Sequence, residues 1–186
     1  MPIPKQKNSI SQGDIFQLGN HFLACGNAKD KKLIDKLINT NKIKAIISDP
    51  PYSIDYVQSK SGFKQKIAKP KDIIGDQFQS EDDYRKFTKD WLDCALPYLE
   101  RKNSIYIFNC DKMIFALKQG MVDAGLYFSQ LLIWVKSHSV VGRKDYLPQH
   151  ELIAYGWKGT HDFLKTKDKS VDRKSTRLNS SHVALS

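Results

Sequence analysis

Apolar positions along this chain follow two rhythms that take turns. Two short runs, Asp14 to Leu18 and His21 to Cys25, flank Gly19-Asn20, which predicts a β-hairpin closed by a Gly-Asn turn. Leu33, Ile34, Leu37 and Ile38 then recur at helical spacing, predicting a helix over Lys31–Ile38. Ile43–Ser48 is a short apolar run of the kind that makes a buried, parallel strand. Tyr84, Phe87, Trp91, Ala95 and Leu99 return at every third or fourth position, predicting a helix over residues 81–99. Ser80 and Asp83 form a capping box at its start, and Pro97 kinks or ends it. Residues 104–109 read as the next buried strand, and 112–124 as a helix stopped by Gly125. Tyr127–Val135 and residues 151–157 read as two more strands, joined by a polar segment. Strand and helix in alternation imply an α/β sheet, whose ligands collect at the carboxyl ends of the strands.

At one such end stands Asp49-Pro50-Pro51-Tyr52. It offers a carboxylate, a stiff backbone with free carbonyls and an aromatic face. Together these can grip a planar ring that bears an exocyclic amine. The amine of adenine or cytosine is a poor nucleophile because its lone pair is delocalised into the ring. Two acceptors aimed at its N–H bonds, the Asp49 carboxylate and the Pro50 carbonyl, let the nitrogen pyramidalise and attack an electrophilic methyl. Proline's fixed φ keeps that carbonyl in place, and Tyr52 supplies a face for stacking an extruded base. Such a site works by positioning and electrostatics, with no covalent intermediate. Asp and Pro are also strong turn formers, so the same four residues alone would serve as a plain turn.

Composition bounds the rest. The 186 residues make one ordinary domain with room for a core, and 40% hydrophobic with 27% charged content is that of a soluble globular protein. No apolar run is long enough for a membrane span, the polar start is no signal peptide, and the expected location is cytoplasmic. Cys25, Cys94 and Cys110 are scattered, which predicts reduced thiols and neither a disulfide framework nor a metal site. A formal charge of +10 fits a polyanionic partner, as does a lysine-rich surface with no such partner.

The chain's last stretch breaks from this pattern. Residues 172–182, Asp-Arg-Lys-Ser-Thr-Arg-Leu-Asn-Ser-Ser-His, have no apolar period and no strand alternation, and they resemble the in-frame translation of a common sequencing-library adapter. The expected organisation is a flexible stretch over 1–12, the catalytic part of a domain over 13–170, and a non-native tail over 171–186. On that expectation the gene continued further and this is an N-terminal fragment.

Asp49-Pro50-Pro51-Tyr52 resembles the catalytic signature of the DNA amino-methyltransferases, which methylate adenine N6 or cytosine N4 with S-adenosylmethionine. Residues 13–21 and Cys25-Gly26-Asn27 are similar to the lead-in of members whose catalytic motif lies near the N-terminus. Trp134-Val135-Lys136, Gly142-Arg143, Asp145-Tyr146, Gln149-His150-Glu151 and Tyr155-Gly156-Trp157-Lys158 resemble the later block of the same group, a far more specific likeness. The resemblance implies a permuted Rossmann-like sheet, incomplete at its carboxyl end. It implies catalysis by Asp49, Pro50, Pro51 and Tyr52, with Asp49 and Asn27 toward S-adenosylmethionine. DNA contacts would come from Tyr52, Trp134, Lys136, Arg143, Tyr146 and His150. DNA is the implied partner, a homodimer the implied state of a full-length protein, and a bacterial or phage restriction-modification system the setting. Asp at the first motif position points to adenine by family analogy, with cytosine N4 as the alternative. The family usually has Gly-Asp-Ser where Gly26-Asn27-Ala28 stands here, and its His-Pro-Thr-x-Lys-Pro segment and glycine-rich cofactor loop are absent. The expectation is therefore a chain inactive, or nearly so, on its own.

Several residues have weaker signals. Lys60, Lys64, Lys66, Lys69 and Lys71 lie in a long polar stretch that either tracks a DNA backbone or is simply solvated. Asn109 and Asp111 follow a strand and so lie at another strand end. Two rivals differ in class: a glutamine methyltransferase of translation factors, which would have Asn in place of Asp49, and a non-catalytic nucleic-acid-binding module.

Overall fold

The computed structural model describes residues 10–53, 80–139, 145–164 and 169–173. The lysine stretch between residues 54 and 79, together with Arg143, lies outside them. The N-terminal hairpin forms as its pattern predicts, from β1 (Ile15–Leu18) and β2 (His21–Ala24), with Gly19 at φ 63 in the turn. Helix α1 (Lys31–Ile38) follows, its first turn capped by the Asp30 carboxylate, which accepts from the Lys32 and Leu33 amides.

A larger sheet is built in the order β3, β4, β6, β5, β8. Strands β3 (Ile43–Ser48) and β4 (Leu99–Asn109) run parallel, with Ser48 beside Ile107. Strand β6 (His150–Trp157) is antiparallel to both β4 and β5 (Tyr127–Val135). Strand β7 (Thr160–His161) pairs with the start of β4, and β8 (Val171–Arg173) runs parallel to the end of β5. No strand pattern marks residues 171–173 in the sequence; their pairing is through backbone, beginning where Ile133 donates to the Ser170 carbonyl at 2.8 Å. A backbone ladder at a sheet edge makes no demand on side-chain type.

Helix α2 (Glu81–Ala95) and helix α3 (Ile114–Asp123) cover one face of this sheet. The predicted capping box is present: Ser80 Oγ accepts from the Asp83 amide at 3.1 Å and donates to Asp83 Oδ2 at 2.7 Å. Helix α2 ends before Pro97, which sits in a 3-10 turn over Leu96–Tyr98. Tyr84, Trp91 and Leu92 of α2 pack with Leu117 and Met121 of α3 onto Ile105, Ile107 and Ala154 of the sheet. The opposite face carries aromatic side chains instead. Tyr106 and Tyr155 stack there with centroids 4.9 Å apart, beside Trp157 and Phe163.

One expectation is corrected. Strand β3 is parallel but not buried: it is the edge of the sheet, and Ile47 is 74% exposed. An unbroken apolar run reports that a strand can be covered on both sides, and within the described residues β4 is its only neighbour in the sheet.

Candidate active site

Topology gathers one end of the sheet. Parallel β3 and β4 both finish there, at Ser48 and Asn109, while antiparallel pairing brings the start of β6 and the end of β5 to the same level. Glu151 therefore lies opposite Trp134, and His150 opposite Val135. Asp49 leaves β3 at this end, exposed, and Pro50, Pro51 and Tyr52 are half-buried behind it.

Within the motif, Tyr52 Oη donates to Asp49 Oδ1 over 2.7 Å. Burial is the main reason the Tyr52 phenol stays neutral far above the ordinary tyrosine range; its bond to Asp49 adds to this, as do the charges of Asp49 and Glu151 and the Cys110 thiol. Ser53, next in the chain, is buried at φ 54, and its hydroxyl has no hydrogen-bond partner among the described residues.

Trp134 and Lys136 come together as their shared strand suggests. The Lys136 ammonium lies 5.8 Å from the Trp134 ring centroid and forms an ion pair with Glu151. The Trp134 ring also meets Phe108 edge-on, with centroids 6.1 Å apart. Backbone bonding pins the mouth of the β5–β6 pair: the Lys136 amide donates to the Gln149 carbonyl at 2.7 Å, and Gln149 Nε2 returns a bond to the Lys136 carbonyl at 3.1 Å. Glu151, in the Gln149-His150-Glu151 stretch of the later block, thus has a polar partner at the strand end.

The other candidates bond elsewhere or stand in solvent. Asn27 belongs to the turn before α1, where its Oδ1 accepts from the Lys29 amide at 2.9 Å and its carbonyl from the Asp30 amide at 2.9 Å. Tyr146 is 92% exposed, and His150 is exposed at the head of β6. Asn109 is fully buried and bonds Tyr84, so it braces the strand end from inside the core.

A carboxylate after a strand, a proline carbonyl and a tyrosine stand at the same end of the sheet as an aromatic–cation pair on β5. A family model of the N6/N4 DNA methylases matches residues 43–183, and the chain belongs to that family. Among curated proteins, it is 27% identical over 154 residues to the type II methyltransferase M.HpaI of Haemophilus parainfluenzae, covering 79% of this chain and 42% of that protein. It is 26% identical over 99 residues to the type II methyltransferase M1.MboII of Moraxella bovis, covering 53% of this chain and 32% of that one. The chain thus spans less than half the length of either relative. Among solved structures, M1.HpyAVI superposes with a TM-score of 0.51 at 16% identity, covering 77% of this chain and 61% of that one. That likeness identifies the fold, a Rossmann-like methyltransferase sheet.

Proposed function

We propose that this chain carries the target-base side of a DNA methyltransferase that acts on the N6 amine of adenine. The observation that carries the proposal is the Asp49 carboxylate, bonded to Tyr52 and followed by Pro50, at the carboxyl end of β3. Asp49 and the Pro50 carbonyl each accept one N–H of the amine, which draws the nitrogen toward tetrahedral geometry. Tyr52 stacks on the extruded ring, Trp134 and Lys136 wall the site from β5, and Arg143, Tyr146 and His150 are assigned to the DNA around it. Binding of a polyanion accords with the formal charge of +10.

The methyl donor of the proposed reaction is S-adenosylmethionine, which supplies an electrophilic methyl on a sulfonium when bound. The described residues fit the acceptor side of this reaction better than the donor side. Of the two residues assigned to the donor, Asn27 has its carboxamide oxygen engaged in its own turn, which leaves the Asp49 carboxylate. A homodimeric, cytoplasmic enzyme of a bacterial or phage restriction-modification system is the setting proposed for the full-length protein.

The amine is the point to test. The chain should bind oligo(dA) more tightly than oligo(dT), which has no exocyclic amine, and Asp49→Ala should remove about tenfold or more of that preference, the scale of hydrogen bonds to a charged group. Equal binding of the two by the wild-type chain sinks the proposal. Incubated alone with labelled S-adenosylmethionine and DNA, the chain is expected to transfer little or no label. Robust transfer would overturn that last expectation, and its product, N6-methyladenine or N4-methylcytosine, would decide the acceptor.

A further inference from the structure

The clamp is closed on itself. Tyr52 Oη bonds Asp49 Oδ1 at 2.7 Å, and so fills one of the acceptor positions an incoming amine would use. The next residue bears two unfavourable features at once. Ser53 has φ 54, a left-handed backbone that non-glycine residues seldom adopt. It is also 1% exposed, with a hydroxyl that has no partner among the described residues. Either feature in a folded protein needs surroundings that hold it in place, and such features cluster where a segment has work to do.

We propose that Tyr52 caps the Asp49 carboxylate, and that Ser53 is a positioning residue that keeps this cap weak enough for a base amine to displace it. The proposal rests on the base-amine role given to Asp49. Base entry then exchanges one O–H···O bond for one N–H···O bond, with no covalent change. Tyr52, released, keeps its ring beside the site. A thymine has no amine to exchange for the cap, so the cost of displacing the cap falls on the amine-bearing base and narrows its advantage over thymine.

The experiment measures fluorescence anisotropy of labelled oligo(dA), oligo(dC) and oligo(dT) of equal length with the full chain and no methyl donor. Tyr52→Phe keeps the ring and removes the cap; the preference for oligo(dA) over oligo(dT) should rise about fivefold, the scale of one net hydrogen bond. Ser53→Gly relieves the backbone and deletes the unpaired hydroxyl; it should strengthen the cap, lower the preference by a similar factor and raise the melting temperature. Ser53→Ala, which deletes the hydroxyl alone, should move the preference in the same direction by less. A role for Ser53 in folding only would change the melting temperature and leave the ratio unmoved. Equal wild-type binding of all three oligonucleotides overturns the base-amine role itself. A wild-type preference that the variants leave alone, or that Tyr52→Phe and Ser53→Gly shift in one direction, overturns the cap and leaves the clamp standing.

Discussion

Asn109 Nδ2 donates to Tyr84 Oη over 2.9 Å in the fully buried space between β4 and α2. The same side chain accepts the Cys110 amide through Oδ1 at 2.7 Å. A polar residue at the tip of a core strand thus ties helix, strand end and following turn into one unit beside the motif. Tyr84→Phe keeps the packing and deprives Asn109 of that acceptor. The expected loss is about 1–3 kcal/mol of unfolding free energy, measured by urea denaturation, with no change in helix content.

At Gly120 helices α2 and α3 approach closely. A Cβ there would lie 2.6 Å from Thr88 Cβ and 2.7 Å from the Arg85 carbonyl oxygen. On an open helix face Gly→Ala stabilises by about 1 kcal/mol. Here Gly120→Ala should destabilise by about 1–3 kcal/mol, because backbone has to move. A higher melting temperature for the variant would show that the helices can part at no cost.

Lys136 and Glu151 retain only 30% and 24% of their side-chain exposure, so each leans on the other's charge. Glu151→Ala leaves the lysine uncompensated and should cost about 1–3 kcal/mol. Adding Lys136→Met should recover part of that loss in a double-mutant cycle. Full additivity of the two substitutions would mean that the pair is not coupled.

Helices α2 and α3 are also joined by Arg85 and Asp123, whose two bonds measure 2.5 and 3.0 Å. The Arg85 guanidinium, with help from Gln119, holds the Asp123 carboxyl below the usual carboxylate range. A depressed folded-state pKa means the contribution is present above the unfolded carboxylate's value and is lost as pH falls through the folded one. The pair is solvent-exposed, so Asp123→Asn should lower the melting temperature at neutral pH by no more than a few degrees. Wild type and variant should converge as pH falls through and below the ordinary carboxylate range.

Local chemistry in the sequence anticipated most elements. The Ser80/Asp83 box, the Gly19-Asn20 turn and the Tyr84–Trp91 spacing each name a structure that depends on nearby residues alone. Strand β3 was legible as parallel and illegible as an edge, because apolarity records what a strand could bury and not which neighbours it has. Asp49 and Tyr52 were legible as neighbours at a strand end. Their mutual bond was not, since it depends on how the chain turns between them. The partner of Glu151 was not legible, because its ion pair with Lys136 comes from the pairing of β5 with β6.

The open edge at β3 has a consequence for handling the protein. Its outer side has no ladder partner among the described strands, and Ile47 stands out from it. Such an edge is a template for another extended chain. Dilution, low temperature and a mild excess of salt or arginine are the conditions in which this polypeptide should stay monodisperse. Concentrating it should produce light scattering before any change in circular dichroism, and Ile47→Lys should delay that onset.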